Sequence, residues 1–298
     1  MPDPYPALAI NGPPLTGDVL TWVDRLAALL DDFSPLAIDH AAPDARQMLV
    51  YFSSRPDRDA ALQAVIAAAA PGVSVSAVSV ADDGWAERSQ ADLRAVRVGR
   101  IIVAPPWDLP DTTSDGEDTT VVVQIRPALG FGSGHHPTTR LALLGLQQIP
   151  LHDRTVLDLG TGSGVLAIAA VQLGAQAAIG IDRDTDALES ARESLALNNV
   201  AHRVELYACA LADAAHVADV IVANLTGATL THQRQAIQAL TRPGGHLVLS
   251  GILSTEAASV ATAYDAVGPC IWRAAENEWV GMMFRNDRPR DKAQVLPH

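Results

Sequence analysis

The amino-acid sequence predicts an α/β fold with two parts: a doubly wound, mostly parallel sheet in the C-terminal part and a smaller ferredoxin-like α+β unit before it. From residue 151 onward, short apolar runs alternate with helical patterns, which is typical of parallel strands joined by helices. Residues 1–80 follow the order strand, helix, strand, strand, helix, strand. A chain of 298 residues can bury two separate cores.

The N-terminal unit is predicted from periodicity. Its expected elements are a strand at 7–10, a helix at 17–32, strands at 35–40 and 47–53, a helix at 57–70 and a strand at 73–80. The first helix repeats apolar residues at steps of three and four, beginning with Leu20 and Val23. No residue pattern here indicates catalysis, so we expect a recognition or regulatory module.

The middle of the chain is predicted to link the two parts. We expect a helix at 85–94, a strand at 97–107, a surface loop in the Asp- and Thr-rich run 111–120, and a strand at 120–125. The predicted boundaries are therefore 1–80 for the recognition domain, 81–128 for the interdomain region, 129–286 for the large domain and 287–298 for a mobile tail.

The C-terminal elements follow in alternation. They are predicted as strand 154–159, helix 164–173, strand 177–181, helix 184–198, strand 203–208, helix 211–216, strand 219–223, helix 230–240, strand 245–250 and a last strand at 278–284.

A glycine-rich turn between the first strand and helix of this series predicts a nucleoside site. Gly160, Gly162 and Gly164 follow the strand, and Asp182 ends the next strand about 20 residues later, where a carboxylate can bind ribose hydroxyls. A dinucleotide fingerprint needs its third glycine one residue later, where Val165 stands. The spacing therefore disfavours NAD and resembles the loop of S-adenosylmethionine-dependent methyltransferases, with an ordinary strand-to-helix turn as the alternative.

The composition limits the partners and the compartment. There are 21 basic and 34 acidic residues, which give a net charge of −13. We therefore expect a basic partner and no direct nucleic-acid readout. The alternative is that the negative charge only keeps the protein in solution. No apolar run is long enough for a membrane span, and the N-terminus lacks a signal-peptide pattern, so a cytoplasmic location is expected. The two cysteines are expected to be buried, and their spacing indicates no metal site.

The segment Phe131-Gly132-Ser133-Gly134-His135-His136-Pro137-Thr138-Thr139 resembles the signature of the ribosomal protein L-eleven methyltransferase family (PrmA). The resemblance continues through the glycine turn, Asp182 and Ile221-Val222-Ala223-Asn224, and it covers most of residues 85–286. Ser133 stands where the family usually has threonine, and Leu225-Thr226-Gly227 follows Asn224 in place of Ile-Leu-Ala.

The resemblance implies a seven-stranded Rossmann-like methyltransferase sheet, S-adenosylmethionine as cofactor, and methylation of lysine ε-amino or N-terminal α-amino groups of that ribosomal protein. The residues it places at the cofactor are Phe131, Thr138, Thr139, Asp158, Gly160, Thr161, Gly162, Gly164, Asp182, Ala210 and Asn224. Asn224 is the candidate catalytic residue, because its neutral side-chain carbonyl can accept a hydrogen bond from the amine.

The sequence leaves alternative roles open for several of these residues. Thr138 and Thr139 suit a helix N-cap nearly as well as a cofactor contact, and Phe131 can cover the cofactor or only pack. A structural role in the turn is favoured for His136 over a proton shuttle, and a metal at the histidine pair is disfavoured. A methyltransferase for another protein or a small-molecule amine, and a non-catalytic cofactor-binding module, are the alternative functions.

Overall fold

The computed structural model describes residues 5–12, 26, 29–30, 33, 35, 37–40, 47–52, 54–68, 72–80, 93–110, 120–126 and 134–287. The chain divides into two compact units, Met1–Leu93 and Arg94–His298. Much of the predicted first helix, the predicted helix at 85–94, most of the loop at 111–120 and the tail lie outside the described residues. Within the described part, no helix is both long and apolar enough to cross a bilayer.

The first unit contains a four-stranded antiparallel sheet. Its elements are β1 (Tyr5–Asn11), β2 (Ala37–His40), β3 (Gln47–Tyr51), α1 (Arg55–Ala68) and β4 (Ser74–Val80). The strands lie in the order β2-β3-β1-β4, and every neighbouring pair is antiparallel, which is the predicted ferredoxin-like arrangement. Its small core packs the sheet residues Leu8 and Val50 against Val65 of α1.

The second unit begins within the segment predicted as a linker. Three short strands, β5 (Val96–Val98), β6 (Ile101–Ala104) and β7 (Val121–Gln124), form a sheet of their own. The strand predicted at 97–107 is thus two strands, because the chain turns at Gly99, whose φ of 59° favours glycine. Val103 and Val123 belong to the same apolar cluster as Val165, so this sheet packs into the core of the second unit.

A seven-stranded sheet forms the centre of the second unit, as predicted. Its elements in chain order are α2 (Pro137–Leu146), β8 (Thr155–Leu159), α3 (Val165–Gln172), β9 (Ala177–Asp182), α4 (Thr185–Leu197), β10 (Val204–Ala208), β11 (Ala218–Asn224), α5 (Gly227–His232), α6 (Arg234–Ala239), β12 (Thr241–Leu253), α7 (Ala257–Tyr264), β13 (Cys270–Glu276) and β14 (Trp279–Arg285). The strand order is β10-β9-β8-β11-β12-β14-β13, and β14 alone runs opposite to the other six strands of this sheet.

Some predictions of elements are wrong in detail. The helix predicted at 230–240 is two short helices that meet at Gln233, and the helix predicted at 211–216 is a single 3-10 turn, Leu211–Asp213. Helix α7 and strand β13 have no counterpart in the prediction, because α7 is rich in alanine and β13 is an edge strand without clear alternation. The cysteines are not buried as expected: Cys209 is half-buried and Cys270 is exposed.

The strand order creates the crevice that a doubly wound sheet offers to ligands. From β8 the chain winds outward through β9 and β10, and it then returns to β11 on the other side of β8. The helices after β8 and β11 therefore diverge, and a crevice opens at the carboxyl ends of these two strands. The glycine turn follows β8 and Asn224 ends β11, so both lie at this switch point.

Candidate functional site

The glycine turn after β8 adopts a backbone that side chains would prevent. Gly160, Gly162 and Gly164 have φ values of 72°, 52° and 79°, in the left-handed region that favours glycine. The amides of Gly160 and Thr161 both donate to the carbonyl of Ile181 at 2.9 Å, which ties the turn to the end of β9. A Cβ at Gly160 would lie 2.8 Å from the side chain of Leu225, so the turn also closely approaches the end of β11.

Asp182, the last residue of β9, is held in place by the same turn. Its Oδ2 accepts a hydrogen bond from the Gly162 amide at 2.9 Å, and its Oδ1 accepts one from the Asp184 amide at 3.1 Å. These bonds use about half of the acceptor positions of a carboxylate. The half-buried side chain can therefore bind a further donor without giving up its orientation.

Asp158 is fully buried in β8 and carries an unsatisfied oxygen. Its Oδ2 accepts hydrogen bonds from the Thr161 hydroxyl at 2.7 Å and from the Ala167 amide at 3.2 Å. Its Oδ1 has no hydrogen-bond partner within the described part of the chain. Burial raises the pKa of Asp158 from 3.8 to about 7, with a further rise from the nearby Asp182, while the two hydrogen bonds act in the opposite direction.

The last residues of the signature segment, from His136 to Thr139, form the start of α2. His136 is the N-cap: its Nδ1 lies 2.7 Å from the Thr138 hydroxyl and accepts a bond from the Thr138 amide at 3.4 Å. This hydrogen bonding agrees with the structural role predicted for His136. The alternative that Thr138 or Thr139 is the N-cap is wrong, because both residues lie inside the first turn of the helix. Burial, aided by Arg140, lowers the pKa of His136 to about 4, so the ring is neutral near pH 7. Phe131 and Ser133 lie outside the described residues.

Asn224 ends β11 beside this first helical turn. Its Nδ2 donates to the Thr139 hydroxyl at 3.5 Å, a long hydrogen bond that directs the side-chain carbonyl away from Thr139. On the neighbouring strand β12, the Ser250 hydroxyl donates to the carbonyl of Thr138 at 2.8 Å and is itself buried. The two contacts connect α2 to the carboxyl ends of β11 and β12, although Thr139 and Asn224 are 85 residues apart in the sequence.

Ala210 follows β10 at the same edge. The amide of the preceding residue, Cys209, donates to the carbonyl of Asp182 at 3.0 Å, and the amide of Asp213 donates to Ala210 to close a 3-10 turn. Ala210 is exposed. The structure therefore brings together the glycine turn, Asp158, Asp182, Ala210, Thr139 and Asn224 along one edge of the sheet.

Sequence reasoning missed the turn of the β13–β14 hairpin as part of this edge. Arg140 of α2 donates to both carboxylate oxygens of Glu276 through Nε, at 2.9 and 3.1 Å, and also donates to the carbonyl of His135. The ring of Trp279 packs against that of His136 in a T-shaped contact, with centroids 5.1 Å apart. The strand predicted at 278–284 corresponds to β14, but no local spacing marks the turn before it.

The histidine pair is not part of a metal site in the described part of the chain, where no group of three or more His, Cys, Asp or Glu residues could hold a metal ion.

Comparisons with known proteins agree with this architecture. The model of the family described as "Ribosomal protein L11 methyltransferase (PrmA)" matches residues 32–287. The ribosomal protein L11 methyltransferase of Yersinia pseudotuberculosis serotype O:1b (strain IP 31758) is 42% identical over 186 residues, which cover 62% of this chain and 61% of that protein. The protein of the same name from Erwinia tasmaniensis is 38% identical over 202 residues, 67% of each chain.

One solved structure supports the fold. The crystal structure of ribosomal protein L11 methylase from Lactobacillus delbrueckii subsp. bulgaricus is 27% identical, with a TM-score of 0.58, and the match covers 65% of this chain and 98% of that one. The matched part of this chain spans less than two thirds of the length of the Yersinia relative.

Proposed function

The chain belongs to the ribosomal protein L11 methyltransferase (PrmA) family, and from this premise we propose that it transfers methyl groups from S-adenosylmethionine to amino groups of ribosomal protein L11. The acceptors are lysine ε-amino groups, the N-terminal α-amino group, or both. The observation that supports this most is the position of Asn224, a neutral acceptor fixed by Thr139 at the same sheet edge as the glycine turn.

The residues after β8 and β9 fit the cofactor. The left-handed glycines let the backbone approach a ligand closely, and Asp182 has acceptor positions available for the two ribose hydroxyls. Residues Ala210 and Leu211 follow the next strand and suit the adenine. The buried oxygen of Asp158 that lacks a partner suits the ammonium group of an amino acid, which is the other end of this cofactor. Val165 begins α3 in place of the glycine that a pyrophosphate would need.

When bound, the cofactor supplies an electrophilic methyl group on a sulfonium, and the chain has to present an unprotonated amine in line with it. A lysine of pKa about 10.4 costs roughly 4 to 5 kcal/mol to deprotonate at pH 7, at about 1.36 kcal/mol per pKa unit. A carboxylate beside the nitrogen would favour its charged form and raise that cost, whereas burial favours the neutral form. An amide is therefore the appropriate acceptor at this position.

Asn224 is proposed as the residue that orients the amine. Its Nδ2 is directed to Thr139, so its carbonyl oxygen is the group that accepts an N–H from the substrate. That bond directs the nitrogen lone pair without adding a negative charge. Thr138 has its hydroxyl engaged by His136 and its carbonyl by Ser250, so we propose that it holds the helix start rather than the cofactor.

The proposal is tested by incubating the purified chain with methyl-labelled S-adenosylmethionine and ribosomal protein L11. We expect label on L11, with mass increments of one or more methyl groups at amines in mass spectrometry. The rate should rise between about pH 7 and 9 as more of the amine becomes neutral. Cofactor binding without label on L11 would refute the substrate, and no cofactor binding in calorimetry would refute the whole assignment.

A further inference from the structure

The turn of the β13–β14 hairpin holds two buried polar atoms without partners. In the described part of the chain, five buried side-chain atoms have no hydrogen-bond partner, and two of them, Glu278 Oε1 and Trp279 Nε1, belong to adjacent residues. Only 3% of Trp279 is exposed. Buried donors and acceptors in folded proteins are almost always paired, because an unpaired one loses its bonds to water without replacement. Trp279 packs against the ring of His136, and the charge of Glu278 also acts on that ring, so both residues lie near the start of α2. Two such atoms on adjacent residues indicate partners from outside the chain.

This pair of atoms lies at the same edge as Asn224. Trp279 is opposite Leu253 on β12, and Ser250 on β12 is opposite Asn224 on β11. The first turn of α2 contacts all three strands, through His136 on β14, Thr138 on β12 and Thr139 on β11. Since β12 alone separates β11 from β14, the two strands are about 10 Å apart at a spacing of about 4.8 Å. Leu253 lies three residues beyond Ser250 along β12, which adds an offset of about 10 Å along the strand at about 3.3 Å per residue.

The neighbouring polar groups are already engaged elsewhere. Arg140, the nearest cation of α2, binds both carboxylate oxygens of Glu276 and the carbonyl of His135. The Nδ1 of His136 is engaged by Thr138. Among the described residues, no salt bridge includes Glu278. Glu278 Oε1 and the indole N–H of Trp279 therefore remain as one acceptor and one donor.

One acceptor beside one donor is the complement of a peptide unit, which carries one N–H and one carbonyl. We propose that Glu278 and Trp279 are substrate-positioning residues that bind the main chain of the methylated protein: the Trp279 Nε1–H donates to a carbonyl, and Glu278 Oε1 accepts from an N–H. The four-carbon stem of lysine then spans much of the distance to Asn224, and the adjoining peptide covers the rest.

This inference rests on the proposed function and narrows its substrate class, because it favours an amine on a protein over a free small-molecule amine. A substrate without an adjacent peptide cannot use the pair. Both residues act through the position of the main chain and contact neither the cofactor nor the reacting nitrogen. Their loss should therefore raise KM for L11 and leave kcat nearly unchanged.

The test compares Trp279→Phe and Glu278→Met in steady-state methylation of L11. The phenylalanine keeps a ring against His136 and removes the N–H donor together with part of the indole ring. The methionine keeps the length of the side chain and removes the acceptor. We expect each variant to raise KM for L11 about tenfold, as for the loss of one hydrogen bond to a buried partner. We expect kcat and the Kd for S-adenosylhomocysteine to stay within about twofold.

Two matched controls lie away from the hairpin turn. Trp272→Phe makes the same change at the other end of β13, where the ring packs beside Gly145 and Gly281, and Glu189→Met makes the same change on the exposed face of α4. Both should leave KM unchanged. If circular dichroism shows that Trp279→Phe does not fold, KM for L11 can still be measured in Glu278→Met, because this side chain is half-exposed and its replacement should not prevent folding.

The outcomes separate the two proposals. A wild-type chain that methylates L11, with unchanged KM in both hairpin variants, refutes the peptide anchor alone. A raised KM in only one variant refutes the paired donor and acceptor. A wild-type chain that binds the cofactor but neither binds nor methylates L11 refutes the proposed function and the anchor together.

Discussion

Replacing Asp158 with asparagine should stabilise the fold while it weakens cofactor binding. Burial holds the pKa of this carboxyl at about 7, against an ordinary value of 3.8. The folded chain therefore binds a proton more tightly than the unfolded chain, and the stability of the wild type falls as pH rises from about 4 to about 7 and is level above that. A difference of about three pKa units corresponds to about 4 kcal/mol of lost stability above pH 7.

Asparagine removes the charge and keeps the size. Its carbonyl oxygen can accept the bonds from Thr161 and Ala167, but its amide then takes the position of the oxygen that lacks a partner. An unpaired buried amide costs about 1–3 kcal/mol, so the net gain in unfolding free energy at pH 8 should be about 1–3 kcal/mol. Near pH 4 the wild-type carboxyl is protonated and only the cost of the amide remains, so the difference should change sign.

The measurement is urea unfolding of both proteins at several pH values between 4 and 8.5, with calorimetry of S-adenosylhomocysteine binding beside it. Asp158→Glu serves as a control, because it keeps the charge but is too long for the site and should lower stability at every pH. A stability difference between wild type and Asp158→Asn that does not change with pH would contradict the buried, proton-binding carboxyl. An unchanged Kd would contradict its role toward the cofactor.

Three further outcomes are expected. Asp182→Ala should weaken cofactor affinity by about 1.5–3 kcal/mol, the order for a lost hydrogen bond to a charged group, and an unchanged Kd in calorimetry would exclude the ribose contact. Asn224→Asp should lower the rate at pH 7 and displace the rate profile to higher pH, because a carboxylate favours the charged amine; a profile that coincides with wild type would show that this residue does not face the nitrogen. Gly251→Ala should lower Tm by several degrees, since the new methyl group would overlap the main chain of Leu225 at a φ of 84°, and thermal unfolding that matches wild type would show that this turn can adjust.

The parts of the site that depend on local sequence were predictable. The glycine turn and Asp182 belong to one strand-turn-helix-strand unit, so their spacing is enough to place the carboxylate beside the turn. The parallel direction of most strands follows from the alternation of strands and helices. The positions of the three glycines and the aspartate are therefore consequences of a segment of about 25 residues.

Contacts between distant segments were not predictable in this way. Nothing in the spacing of Thr139 and Asn224 indicates that they meet, because α2 precedes the sheet and its direction across β11, β12 and β14 is set by packing. The pKa of Asp158 likewise depends on complete burial, which the sequence alone does not give. The alternative that Thr138 or Thr139 is the helix N-cap is wrong because His136 caps α2 with a ring nitrogen, whereas threonine is the more frequent N-cap.

The distribution of charge along the sheet edge follows from the chemistry that we propose. On the side of β8 and β9, carboxylates face the region where the cofactor carries its ammonium group and its ribose. At β11 the side chain is the neutral amide of Asn224, beside a hydroxyl. In the hairpin the carboxylate of Glu276 is neutralised by Arg140, and that of Glu278 is assigned to the peptide of the substrate, away from the amine. A negative charge at β11 would keep the amine protonated, whereas one at β8 does not meet the nucleophile. An enzyme that alkylates an amine needs this asymmetry, and exchanging the two side chains, Asp158→Asn with Asn224→Asp, should therefore abolish turnover even if the fold is retained.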